Sequence, residues 1–109
     1  RQYVSVYDRA WHAGISSFEG RSGCNDFSVG IELEGTGETV FEEAQYRSLA
    51  DLLAKLTGLL PIEAVTGHEH VAPGRKQDPG PCFDWKRVGR MVPSHVRIVT
   101  EAQRMPERA

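Results

Sequence analysis

The chain has 109 residues, of which 39% are hydrophobic and 26% are charged, and its formal net charge is −2. These values are ordinary for one small globular domain and exclude a chain that is disordered throughout. No apolar run approaches the ~20 residues of a membrane-spanning helix, and the charge balance lacks the basic excess that is typical of nucleic-acid-binding domains.

The first third of the chain predicts two strands joined by a long irregular segment. Residues 2–7 are rich in β-branched and aromatic side chains, which favours a strand. Residues 8–26 contain glycines and serines and predict a loop. Residues 27–34 alternate between apolar and polar side chains, so the second predicted strand places Glu32 and Glu34 on its polar face.

The remaining chain predicts two helices, a short strand and a long aperiodic segment. An apolar stripe with a 3.6-residue period predicts a helix over about residues 42–58, and a short strand is expected near 62–66. Residues 68–83 follow neither period, and aperiodic stretches longer than about 12–15 residues in a compact domain are usually functional or disordered. A short helix capped by aspartate is expected over 84–91, followed by a polar C-terminal tail over 93–109.

Two side chains of the aperiodic segment form a candidate metal site. His68 follows the predicted short strand and Asp78 lies ten residues further along, and imidazole and carboxylate are both zinc ligands. A competing pair is His68 with His70, whose imidazoles would face the same side of an extended backbone. A third interpretation needs no metal. The same residues are compatible with a surface histidine and an aspartate that starts an Asp-Pro-Gly turn. The residues alone leave all three alternatives open.

Other polar side chains are candidates for a catalytic centre. Glu32 and Glu34 are solvated if their strand face is open, whereas a covered carboxylate there needs a partner or a function. Lys76 either places a positive charge near a developing oxyanion or is a solvated loop lysine. His12, next to Trp11, is either a ring packed near a cleft or an ordinary polar loop residue.

Cys24, Cys82 and His95 are expected to have no catalytic role. Neither cysteine has a sequence neighbour that would activate its thiol, so both are interpreted as small buried residues. The sequence also lacks a nucleophile elbow, a phosphate-binding loop and a dinucleotide fingerprint.

Four segments resemble the zinc-dependent N-acetylmuramoyl-L-alanine amidases of the AmpD type, a family related to phage amidase lysozymes and peptidoglycan recognition proteins. The segments are 10–14 (Ala-Trp-His-Ala-Gly), 24–35 (Cys-Asn-Asp-Phe-Ser-Val-Gly-Ile-Glu-Leu-Glu-Gly), 66–68 (Thr-Gly-His) and 73–81 (Pro-Gly-Arg-Lys-Gln-Asp-Pro-Gly-Pro). They occur in the order of the family, and together they are far more specific than one spacing of His and Asp.

The resemblance implies an α/β fold with a mixed central β-sheet flanked by helices and a groove floored by zinc. It implies that His68 and Asp78 are zinc ligands. It also implies that Glu32 is the catalytic general base and that Lys76 stabilises the transition state.

The resemblance further implies that Trp11 and Arg75 line the substrate groove, and that Arg75 pairs with a peptide carboxylate. The family's first zinc ligand, a histidine at the end of an early strand, has no counterpart in this chain, which begins at Arg1. We therefore expect residues 1–92 to be the C-terminal part of a single amidase domain, with 93–109 as a polar tail. The N-terminal strand and helix, with the third zinc ligand, would come from a segment outside the chain.

The implied reaction is hydrolysis of the amide bond between (1,6-anhydro-)N-acetylmuramic acid and the L-alanine of peptidoglycan stem peptides. The implied setting is cell-wall recycling in the cytoplasm, with a muropeptide or peptidoglycan fragment as partner and neither nucleic acid nor membrane. One alternative is a non-catalytic peptidoglycan-binding module on the same fold, although a binder needs neither a base nor an oxyanion stabiliser. Another alternative is an unrelated α/β interaction domain with incidental histidines.

Overall fold

The computed structural model describes residues 2–35 and 39–105, and these residues form an α/β structure with two small sheets. In the first sheet β1 (Ser17–Phe18) pairs antiparallel with β2 (Arg21–Ser22), and in the second β3 (Ala64–Thr66) pairs parallel with β4 (Arg97–Val99). The helices are α1 (Glu43–Leu59), α2 (His68–Val71) and α3 (Trp85–Gly89), and a 3₁₀ turn covers Cys24–Asp26. The predicted α/β class is confirmed. Within the described ranges, no helix has the length and hydropathy needed to cross a bilayer.

Helix α1 confirms the helix predicted over residues 42–58. Glu42 is its N-cap, and the Glu42 backbone N–H donates to Gln45 Oε1 at 2.8 Å in a capping box. Its buried residues recur at the helical period and form the face that packs on the core. They are Tyr46, Leu49, Leu53 and Leu56.

An aromatic cluster joins α1 to α3 in the main core. The ring of Phe83 lies 5.5 Å from Phe41, 5.7 Å from Tyr46 and 4.8 Å from Trp85, measured between centroids. The hydroxyl of Tyr46 accepts a hydrogen bond from the backbone N–H of Asp84 at 3.0 Å. The Asp84 carboxylate caps α3 by accepting the backbone N–H groups of Lys86 and Arg87. The helix predicted over 84–91 is thereby confirmed, in a shorter form.

Residues 27–34 are not a strand, and they keep the predicted alternation of faces only over residues 31–34. Ile31 and Leu33 pack against the main core, while Glu32 and Glu34 are exposed. Among the described residues no segment pairs with this backbone, and a β-strand exists only as part of a hydrogen-bonded ladder. The predicted strand is therefore wrong as an element, and its two faces are assigned correctly only for residues 31–34, since Val29 is 37% exposed.

The strand predicted at residues 2–7 is also wrong. This segment contains turns, and the backbone N–H of Asp8 donates to the carbonyl of Ser5 at 2.9 Å. Tyr3 and Tyr7 are 84% and 75% exposed. β-branched and aromatic residues favour a strand only where neighbours on a pleated surface pack against them, and these side chains have no such surface.

The short strand predicted near residues 62–66 is confirmed as β3, but its partner lies in the segment predicted as a tail. Val65 of β3 is aligned with Ile98 of β4, and the Thr66 hydroxyl donates to the carbonyl of Val99 at 2.7 Å. The backbone N–H of Gln103 donates to the carbonyl of His70 at 2.7 Å. The domain division at residue 92 stays a prediction, and the chain beyond it carries strand β4.

We expect Phe83→Ala to lower the free energy of unfolding by about 3–5 kcal/mol, because it leaves a cavity between three aromatic neighbours. Leu59→Ala is the control, since Leu59 is 57% exposed and its loss should change stability by less than about 0.5 kcal/mol. Urea denaturation measures both variants, and equal effects would contradict the assigned core.

We expect the stabilising effect of the Glu43–Arg87 ion pair to disappear in acid. Its two hydrogen bonds are 2.6 and 2.8 Å long, and these bonds to Arg87 lower the pKa of Glu43. A depressed folded-state pKa means that the contribution is present at neutral pH and is lost as the pH falls below about 4.3, the ordinary pKa of glutamate, and on through the lower folded-state pKa.

Glu43→Gln should therefore lower the free energy of unfolding at pH 7 and have little effect at pH 3, as measured by urea denaturation. Asp51→Asn on the same helix is the control, since no ion pair of Asp51 is found in the described structure. A Glu43→Gln effect of the same size at both pH values would contradict the pairing.

Candidate active site

Three side chains that are far apart in sequence meet at the N-terminal end of α2. Glu32, His68 and Asp78 each offer one ligand atom, and these atoms all lie within 4.8 Å of one another. The Nδ1 atom of His68 is 2.6 Å from Asp78 Oδ2 and 3.8 Å from Glu32 Oε1. The structure thus brings together the two predicted zinc ligands and the predicted general base.

The loop between His68 and Asp78 is closed by backbone contacts at its base. His68 is the first residue of α2, directly after β3 and Gly67. The backbone N–H of Glu69 donates to the carbonyl of Asp78 at 2.9 Å. A Cβ atom on Gly67 would lie only 2.8 Å from Pro79 Cδ, so the close approach of the two ends of the loop requires glycine here.

The cluster combines a buried ring with carboxylates that solvent reaches. The His68 side chain is 8% exposed, whereas those of Asp78 and Glu32 are 45% and 71% exposed. Imidazole nitrogen with carboxylate oxygen is a donor set that zinc accepts, and a divalent cation would offset the two acidic charges. The residues present therefore fit zinc.

A cavity of about 520 Å³ borders the cluster. His12, His68 and Asp78 contribute polar groups to its wall. The rest of the wall includes apolar side chains from the segment 27–34 and from α1. The cavity therefore places the candidate ligands at a concave surface, as expected of a binding site.

His12 contacts His68 directly, a contact that the sequence did not predict. Its Nδ1 atom lies 2.9 Å from His68 Nε2, and its Nε2 atom lies 2.8 Å from Ser28 Oγ. Burial lowers the pKa of His12, and the nearby charges of His68 and Lys76 lower it further. Of the two interpretations of His12 given above, the ring packed near a cleft is the one observed.

The alternative ligand pair of His68 with His70 is wrong. These residues lie on helix α2, not on an extended backbone, so their side chains do not share a face. His70 Nδ1 instead accepts the backbone N–H of Gly67 at 3.1 Å. The His70 ring is buried and lies 5.5 Å from the ring of Trp85.

Arg75 fastens the loop that carries Trp11 and His12. Its Nε and Nη2 groups donate to the carbonyl of Ile15 at 3.2 and 2.9 Å, and Nη2 also donates to the carbonyl of Ala13. Trp11 is 81% exposed, with the Arg9 guanidinium 5.1 Å from the ring centroid. The substrate roles of Trp11 and Arg75 stay predictions.

The other candidates divide between the site and the surface. Lys76 is half-buried and close enough to His12 to affect its pKa. Glu34 is exposed, and its carbonyl accepts from Gln45 Nε2 at 2.7 Å. Cys24 is buried and Cys82 half-buried, and both are free.

The sequence profile of the N-acetylmuramoyl-L-alanine amidase family matches residues 1–81. The curated 1,6-anhydro-N-acetylmuramyl-L-alanine amidase AmpD of Enterobacter cloacae is 53% identical over 93 residues, covering 84% of this chain and 50% of that protein. N-acetylmuramoyl-L-alanine amidase AmiD of Escherichia coli K12 is 39% identical over 100 residues, covering 82% of this chain and 36% of that protein. The chain therefore spans about half the length, or less, of these curated relatives.

Two solved structures superpose on most of the chain. The crystal structure of a selenomethionine derivative of AmpD gives a TM-score of 0.80 at 51% identity and covers 84% of this chain and 52% of that chain. AmpDh3 from Pseudomonas aeruginosa, in complex with anhydromuramic pentapeptide, gives a TM-score of 0.70 at 35% identity and covers 81% and 39%. Sequence profile, identity and fold agree, and the chain belongs to the N-acetylmuramoyl-L-alanine amidase family.

Proposed function

We propose that this chain is part of a zinc-dependent amidase that cleaves the bond between (1,6-anhydro-)N-acetylmuramic acid and the L-alanine of peptidoglycan stem peptides. The observation that carries the proposal is the cluster of Glu32, His68 and Asp78, whose ligand atoms lie within 4.8 Å of one another. Family membership supplies the reaction class, and the cluster supplies the groups that such a reaction needs.

His68 and Asp78 would hold the metal, His68 through Nδ1 and Asp78 through its carboxylate. Catalytic zinc usually has three protein ligands and one open position, so we infer that a segment outside this chain supplies a third ligand. When bound, zinc acts as a Lewis acid that polarises the scissile carbonyl and activates water.

Glu32 would act as the general base and then as the general acid. Its side chain is 71% exposed and its Oε1 atom is 3.8 Å from Nδ1 of the buried His68 ring, so the carboxylate is open to solvent beside the candidate ligands. It accepts a proton from the attacking water and delivers that proton to the leaving amine nitrogen.

Lys76 would stabilise the oxyanion that develops on the carbonyl oxygen. Its positive charge contributes to lowering the pKa of His12, and His12 in turn contacts His68. A fixed positive charge beside a developing oxyanion lowers the barrier because it needs no reorganisation during the reaction.

Trp11 and Arg75 would bind the muropeptide. Trp11 presents an exposed aromatic surface, and the Nη1 group of Arg75 has no hydrogen-bond partner among the described residues. That group is free to bind a peptide carboxylate while the rest of the guanidinium holds the loop. The anhydromuramic pentapeptide in the AmpDh3 structure supports a ligand of this class.

The relatives support a role in cell-wall recycling. The curated protein of Enterobacter cloacae at 53% identity is named for the 1,6-anhydro form of the sugar. We propose the anhydromuropeptide as the substrate and the cytoplasm as the compartment, as the resemblance to this group implies.

We expect Asp78→Ala to lower zinc affinity by at least about 100-fold, since it removes a direct ligand and not merely an outer partner. Amidase activity should fall in parallel. Zinc affinity is measured by competition with a chromophoric chelator, using the complete natural protein. Asp51→Ala on the exposed face of α1 is the matched control and should bind zinc as the wild type does. Full zinc affinity in Asp78→Ala would remove Asp78 from the site.

We expect Glu32→Gln to lower kcat by roughly 10²–10⁴-fold, the usual contribution of a general base. Glu34→Gln is the matched control, because Glu34 lies on the same exposed face but outside the cluster.

Lys76→Ala should lower kcat by about 10²–10³-fold while zinc stays bound. The measurement is muropeptide turnover by the complete protein, resolved by chromatography. Binding without turnover in the wild type would support a non-catalytic binding module, and full activity of Glu32→Gln would contradict its role.

A further inference from the structure

A chain of hydrogen bonds runs from the far side of the His68 ring to a backbone carbonyl. His68 Nε2 lies 2.9 Å from His12 Nδ1, and His12 Nε2 lies 2.8 Å from Ser28 Oγ. The Ser28 hydroxyl donates to the carbonyl of Cys24. This series of hydrogen bonds lies on the side of His68 opposite to the candidate ligand atom Nδ1. The proposed reaction does not use these hydrogen bonds.

The backbone carbonyl at the end of this series of hydrogen bonds decides which group donates and which accepts in each bond. A backbone carbonyl only accepts, so the proton of the Ser28 hydroxyl is committed to Cys24 and the Ser28 oxygen must accept from His12 Nε2–H. The neutral His12 ring then carries its lone pair on Nδ1. That lone pair accepts from His68 Nε2–H, so a metal that replaces the hydrogen bond between His68 Nδ1 and Asp78 Oδ2 meets the lone pair of His68 on Nδ1.

The His12 ring is held in the place that this arrangement requires. Asn25 Oδ1 accepts the backbone N–H groups of His12 and Ala13 at 3.0 and 2.8 Å. On the other side the ring packs over Gly30, where a Cβ atom would lie 2.4 Å from His12 Cγ. No side chain larger than hydrogen fits at residue 30 while the ring keeps this position.

We propose that His12 is a positioning residue that fixes the tautomer of His68, so that Nδ1 and not Nε2 is presented to the metal. The Ser28 hydroxyl and the carbonyl of Cys24 in turn fix the tautomer of His12. Partners that orient a ligand imidazole usually change metal affinity by 10- to 100-fold. This inference rests on the proposed zinc site, and it adds three groups to that site.

The first test compares zinc affinities of two substitutions at His12 in the complete natural protein. His12→Phe keeps a ring of similar size but removes the acceptor, and its affinity should fall by roughly 10- to 100-fold. His12→Asn retains an oxygen near the position of Nδ1 and should recover much of that loss. His95→Phe, at an exposed position, is the control and should bind zinc as the wild type does.

The second test uses Ser28→Ala, which does not touch His68. Its zinc affinity should also fall, and this loss should disappear when Ser28→Ala is combined with His12→Phe, because the hydroxyl acts only through the ring. Nitrogen-15 chemical shifts of the zinc-loaded protein should place the His12 proton on Nε2. Ser28→Ala changes few packing contacts, so it keeps the test valid if His12→Phe fails to fold.

The outcomes separate this inference from the proposed function. Wild-type protein that binds no zinc overturns the zinc site and the inference with it. Wild-type protein that binds zinc while His12→Phe and Ser28→Ala bind it equally well overturns the inference alone. Additive losses in the double variant, or a proton on His12 Nδ1, also overturn it.

Discussion

The candidate site depends on one buried imidazole that is fixed at both of its nitrogens. Asp78 holds the Nδ1 side of His68 and His12 holds the Nε2 side. A buried ring with an unpaired nitrogen is costly, so the two contacts set its orientation as well as its position. The carboxylates of Asp78 and Glu32 are more exposed than the ring. The result is a rigid nitrogen donor beside acidic groups that solvent can reach, an arrangement suited to a metal that must also bind a substrate.

Apart from His68, which begins α2, the residues of this site lie on irregular segments, and side-chain hydrogen bonds to the backbone hold these segments in place. Asn25 holds the backbone at His12, and Arg75 ties the following residues to the loop between His68 and Asp78. Each of these two side chains joins two loops that are not paired with each other by backbone hydrogen bonds. Such bonds contribute about 1 kcal/mol each to stability, but their directionality fixes the relative placement of the loops. The buried apolar contacts of α1 and Phe83 form the main core, and these side chains also line the cavity beside the ligand residues.

Local signals explain why some elements were predictable and others were not. The stripe on α1 and the aspartate cap of α3 act within a few residues, so helix period and capping chemistry suffice to locate them. The alternation in residues 27–34 correctly separates Ile31 and Leu33 from the exposed acids. Strand formation needs a partner backbone, and no local pattern states where a partner lies. For the same reason strand β4 was not predicted, since the composition of its segment indicates a polar tail.

The sequence by itself determined the family and named the residues of the candidate site, because both follow from the order and residue types of short motifs. His68, Asp78 and Glu32 were named from four short segments, and the structure places them within ligand distance of one another. Only the tertiary structure decided that His12 faces His68 and that His70 does not join it. Those contacts depend on the helical backbone of α2 and on the missing side chain at Gly30, against which the His12 ring packs. Spacing along a chain carries no information about either, since both arise from segments that meet only on folding.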